Sequence, residues 1–166
     1  MSAQQSSYAL ELTNAIEGML FDSRDSMVVA LRNDVGAEVP YGHLVCQSTS
    51  DSDAFVLAVN AGVVAGVLIH AHNHEHVTTG LPDDKFGNIL QRGIVWVITE
   101  DACTVDDTPR VRVANGGGYT KGSIRVGSSA GNTAPLSNCK FMRAAGAGEL
   151  VPLYINLSSP IVLNDD

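Results

Sequence analysis

The chain has 166 residues, 45% of them hydrophobic and only 17% charged, with a formal net charge of −8. That length suits one domain with an ordinary apolar core and short extensions, and needs no staples to hold it. The acidic balance, with no run of Lys or Arg, excludes the phosphate-neutralising patch on which nucleic-acid binding rests.

In chain order, residues 1–20 are Ser/Gln-rich and then weakly amphipathic. They carry no basic region followed by an apolar core, so they read as an N-terminal arm and not as a signal peptide. Strands are predicted at 27–32, 43–47, 55–59, 63–70, 94–99, 110–114, 123–126 and 150–157. Turn signals separate them, among them "VPYG", "STSDSD", "GLPDD" and "NGGG".

The apolar run from Ala54 to Ile69 is shorter than the roughly 18–20 residues of a spanning helix. Asn60, Gly62 and Gly66 interrupt it, and two buried strands around a turn account for it without a membrane. In "GIVWVIT", Ile94, Trp96 and Ile98 share one face and Val95, Val97 and Thr99 the other. Two apolar faces predict a central, covered strand with Trp96 in the core. Arg110, Arg112, Lys121 and Arg125 are the nearest approach to a basic cluster, and they are spread over two strands.

This cadence predicts an all-β fold, a compact β-sandwich or β-barrel (jelly-roll-like) with extended N- and C-terminal arms. The domain is expected over 21–157. Residues 158–166, "SSPIVLNDD", are read as a C-terminal tail whose Ile161 and Leu163 need a partner surface, as do Tyr8, Leu10 and Leu12 of the arm. Cys46, Cys103 and Cys139 stand far apart with no C-x-x-C, which argues against a disulfide framework and fits a reducing compartment.

The motif with most chemical capacity is "HAHNHEH", which places His70, His72, His74 and His76 at alternate positions. In a strand these imidazoles share one face, and three such ligands suffice for a catalytic zinc. The known signatures do not complete themselves. A zincin requires H-E-x-x-H, and His74-Glu75 is followed by His76, Val77 and Thr78. A cupin requires a glutamate where Val77, Thr78 and Thr79 stand. A JAMM metalloprotease pattern is matched by His70, His72 and Asp83, but Gly80 occupies the position of its serine.

The run therefore reads as a solvated strand end leading into a polar loop. "GGG" at 116–118 lacks the G-K-[ST] of a phosphate loop, and no G-x-S-x-G elbow is present. Asp83-Asp84, Asp106-Asp107 and Asp165-Asp166 lie in turn or tail contexts. No catalytic, cofactor-binding or metal residues are assigned, and the chain is expected not to be an enzyme. The alternative is a small metal-dependent hydrolase, JAMM- or cupin-like, using His70, His72 or His74 with Asp83.

Several segments in a fixed order resemble the structural cement, or capsid decoration, proteins of tailed bacteriophages. They are "EGMLFDS" at 17–23, "AEVPYGHLVCQ" at 37–47, "VVAGVLIHAH" at 63–72, "ILQRGIVWVIT" at 89–99 and "KFMRAAGAGELVPLYINL" at 140–157. The likeness spans about residues 17–157; the run of four His departs from it. The resemblance implies a non-enzymatic β-rich protein on the outer surface of the phage head, made in the host cytoplasm. It also implies that the protein bridges major capsid protein subunits as a homo-oligomer, with a trimer favoured over a dimer, and takes no cofactor.

Overall fold

The structure is a computed structural model and describes residues 15–70 and 80–164. In chain order the strands are β1 (Leu20–Asn33), β2 (Val39–Pro40), β3 (Leu44–Gln47), β4 (Ala54–Leu57), β5 (Val64–Ile69) and β6 (Gly80–Leu81). They continue with β7 (Phe86–Ile98), β8 (Arg110–Arg112), β9 (Ile124–Arg125), β10 (Thr133–Pro135), β11 (Cys139–Phe141) and β12 (Leu150–Asn156). No helix occurs among the described residues, so the all-β expectation holds.

The main sheet runs β1-β4-β3-β5-β7-β12-β11, and β7 also pairs with β1. The pairings β1–β4–β3–β5–β7–β1 thus return to their start and leave β12 and β11 as an extension from β7. Within that circuit, Leu31, Val45, Phe55, Leu68 and Ile89 meet Val39, Tyr41 and Leu81 in one apolar cluster. The opposite faces of β3, β5 and β7 carry Leu44, Cys46, Val67, Ile69 and Leu90 into a second cluster. This second cluster is roofed by Val111, Ile124 and Ala134 of the small β10-β8-β9 sheet. Strands buried on both faces read as continuous apolar runs, which is why β3 and β5 stand out in the sequence. At Gly66 (φ 148°) β5 crosses so close to β7 that a Cβ would run into the carbonyl oxygen of Leu90. Only glycine fits there.

A bulge divides β7. Met27 of β1 lies opposite Arg92, but the next residue, Val28, lies opposite Leu90. Gln91 is therefore an extra residue, and it resets the alternation of the strand. Before it, Ile89 and Leu90 are both fully buried, in different clusters. After it, Val95 and Val97 point inward and are fully buried, while Ile94, Trp96 and Ile98 are only partly covered. The expectation that "GIVWVIT" is covered on both faces thus fails: burial on both faces occurs only ahead of the bulge, at Ile89 and Leu90, and Trp96 lies outside the core.

The end of the chain also differs from its sequence reading. Val162 bridges Val63; Val64 N–H donates to Ile161 O (2.8 Å), and Leu163 N–H donates to Gly62 O (2.9 Å). Ile161 and Leu163 are 6% and 0% exposed and belong to the second cluster. The partner these two residues require is the core of their own chain, because alternation in an extended segment turns both toward it.

Candidate docking face

Of the histidine run only His70 lies within the described residues; His72, His74 and His76 fall outside them. His70 ends at the edge of β5, where its amide donates to Gly18 O (2.9 Å) and its ring packs at a tilt on Tyr41, centroids 4.9 Å apart. Asp83 turns elsewhere, its carboxylate accepting the Gly36 amide at 2.8 Å. Among the described residues no three His, Cys, Asp or Glu side chains converge as metal ligands would. The three cysteines are free and buried. Burial raises all three thiols, Cys139 to about 12, which keeps them from acting as nucleophiles.

Two of the dispersed cations around β8 and β9, Arg112 and Arg125, have an internal role. Arg112 donates to Glu100 through Nε (2.8 Å) and a terminal nitrogen (2.6 Å), and Ser123 Oγ donates to the same carboxylate. Arg125 reaches Glu100 and Asp101 at 3.4 and 3.1 Å. Arg112 and Glu100 are 6% exposed, so these charges neutralise one another inside the protein. Their cationic heads are not presented to a ligand.

What the fold does present is the outer face of its extension. The reset phase of β7 sends Arg92, Ile94, Trp96 and Ile98 outward. β12 lies beside it with Asn156 opposite Arg92, Tyr154 opposite Ile94 and Pro152 opposite Trp96. β11 adds Lys140 opposite Tyr154. Phe21, 52% exposed, packs on Trp96 at 5.5 Å between ring centroids, and Met142 is 42% exposed. The Arg143 guanidinium lies 4.8 Å above the Trp96 ring and donates to Leu150 O (3.0 Å), while the Lys140 ammonium lies 6.0 Å from the Tyr154 ring centre.

Beside this array runs a groove of about 590 Å³ lined by Asp22, Arg24, Arg92, Ile94, Tyr154 and Asn156. Arg24 grips Asp22 at 2.7 Å and holds its carboxyl below the usual range. Exposed aromatics beside oriented cations have the composition of an interface centre, not of a catalytic cleft.

The incoming chain anchors one end of this face. Gly18 N–H donates to Trp96 O (2.8 Å) and Trp96 N–H to Met19 O (2.9 Å), so the segment ahead of β1 is already laced to β7. Glu17 is carried inward against Gly42, where the Ile98 amide donates to it at 3.4 Å. Burial outweighs that bond and pushes its carboxyl up to about 7. Sequence reading singled out only Trp96 here and placed it in the core. Phe21, Lys140, Arg143 and Tyr154 come together only through strand order.

A chain from the solved capsid of Myoviridae phage XM1 superposes with a TM-score of 0.66 at 16% identity, over 94% of this chain and 99% of that one. No curated relative matches. The family model described as "Structural cement protein (E217 gp24/Pam3 gp6)" matches residues 3–156. A match over nearly the whole chain shows that this protein belongs to the structural cement protein family, whose place is in the phage virion capsid.

Proposed function

We propose that this protein decorates the outer surface of a phage head and stabilises it by bridging neighbouring major capsid protein subunits, its work being binding alone. The observation that carries this reading is the partly exposed Phe21–Trp96–Tyr154 face, an aromatic surface on a chain of cement-protein type. A ligand that binds the assembled head better than the separated subunits stabilises the head by mass action. A homo-oligomer, with a trimer favoured over a dimer, links several such contacts and raises the effective concentration of each. The metal-hydrolase reading has less support, since Asp83 is turned to the Gly36 amide.

The test strips the protein from virions and compares heat-induced DNA release before and after it is added back. Restored heads should release DNA at a higher temperature than stripped heads. Equal release temperatures, or equally strong binding to free capsid subunits, would sink the proposal.

A further inference from the structure

The geometry points to a carboxylate-bearing segment of the capsid subunit as the occupant of the β7–β12–β11 face, gripped by Arg92, Lys140 and Arg143 around the Trp96–Tyr154 centre. This rests on the cement reading and specifies the chemistry of its partner.

The argument begins with where positive charge is left over. The chain has ten Lys and Arg against eighteen Asp and Glu. Arg32 meets Asp34, Asp51 and Asp84; Arg24 meets Asp22; Arg112 and Arg125 meet Glu100 and Asp101. Arg92, Lys140 and Arg143 have no carboxylate partner among the described residues; Lys85 and Lys121 also lack one but stand apart, whereas these three share one sheet face. On a chain of net charge −8, three unneutralised cations around half-buried aromatics form a local positive field that favours an acidic partner.

The cations are also held in place. Arg143 is fixed between the Trp96 ring and Leu150 O, and Arg92 Nε donates to Asp25 O at 3.3 Å. A guanidinium already oriented loses little freedom on binding, and its remaining N–H groups match a carboxylate's two oxygens.

Two other occupants fit less well. A second copy placed across a two-fold axis would set these three cations against the same three. A nucleic-acid backbone would bring repeating phosphates to a groove that Asp22 and Asp25 also line. A protein segment with one or two carboxylates can seat them on Lys140 and Arg143, which do not line that groove, and place an apolar residue on the Trp96 centre.

The experiment measures binding to stripped heads by co-sedimentation at low and raised salt. It compares the native protein with Lys140→Glu/Arg143→Glu, with Lys140→Gln/Arg143→Gln, and with Lys85→Glu as a charge control on the exposed β6–β7 turn. Circular dichroism and light scattering check fold and mass. Charge reversal should weaken binding by about tenfold or more, and the glutamine pair should flatten the salt dependence. Lys85→Glu should stay within about twofold, and poly-glutamate should displace the native protein.

Reversal that binds as the native protein does would overturn the inference and leave the cement reading standing. Displacement by double-stranded DNA but not poly-glutamate would overturn it in favour of a phosphate ligand. Loss of the free oligomer in the reversed variant would assign the face to a copy-to-copy contact. Native protein that fails to bind heads would sink the cement reading itself.

Discussion

At the residue scale, Glu17 is a half-buried acid whose effect on stability has a definite sign. Its folded pKa of about 7 lies above the ordinary 4.5, so the fold holds the protonated form where the unfolded chain has released it. The contribution is complete below pH 4.5 and is lost as pH climbs to about 7. Buried His43, lowered by desolvation, acts in the opposite sense, so the difference between native and variant isolates Glu17. Glu17→Gln should gain on the native protein by about 2 kcal/mol between pH 5 and pH 8, allowing for partial exposure. Urea denaturation at both values measures it, and a pH-independent difference would mean that Glu17 is solvated.

Trp96 now carries a different expectation from that of a core residue. Trp96→Ala removes one ring contact and one cation–π contact from a half-covered face, a loss of about 1–2 kcal/mol. A buried tryptophan would cost about 3–5 kcal/mol. The same variant should weaken binding to heads, and a denaturation midpoint shifted by the larger amount would return Trp96 to the core.

At the scale of elements, the segment after β12 contrasts two neighbouring side chains. Leu163 is fully buried and Val162 is 46% exposed. Leu163→Ala should cost about 2–5 kcal/mol, whereas Val162→Ala should stay within about 0.5 kcal/mol. Equal effects in chemical denaturation would mean that the segment does not pack as described.

Strands dense in Val, Ile and Leu were legible: β3, β4, β5, β8, β9 and β12 lie within a residue or two of their predicted spans. The pairs β2 and β6, and the short β10 and β11, were not, because "VP", "GL", "TAP" and "CKF" lack the alternating Val and Ile that mark the equally short β8 and β9, and owe their conformation to a partner strand. The polar opening of β1, "LFDSRDS", was invisible for a related reason. Ser23–Ser26 loops out of register, with Asp25 at a φ of 57°, and only β7 brings the chain back. The candidate face was legible only at Trp96. The Gln91 bulge that turns it outward changes the phase of a strand without changing its composition.

Across the whole molecule, charge is sorted by place. Arg32 stands among Asp34, Asp51 and Asp84, the Glu100–Arg112 pair lies inside, and Arg92, Lys140 and Arg143, three of the cations without a carboxylate partner among the described residues, share the extension. With the basic extension assigned to the capsid subunit, the proposed homo-oligomer forms through other surfaces, and a head-to-tail contact between those closes into a ring. Light scattering on the free protein should therefore give an integral multiple of the chain mass, three being favoured. A monomer at micromolar concentration would leave lattice binding as the source of any multivalency.

The long β1–β7 ladder also has a mechanical consequence. β1 pairs antiparallel with β7 at Leu20 and Asp22 and, past the Ser23–Ser26 loop, from Met27 to Arg32. Its hydrogen bonds lie across the line of the chain. A pull on the N-terminal end therefore loads that row in shear, so that many bonds must slip together instead of opening one by one as a zipper does. If a head swelling with packaged DNA drags on this end of the chain, the resistance it meets is that of the whole ladder, and the first bonds to take the strain are those that lace Gly18 and Met19 to Trp96, at the margin of the docking face.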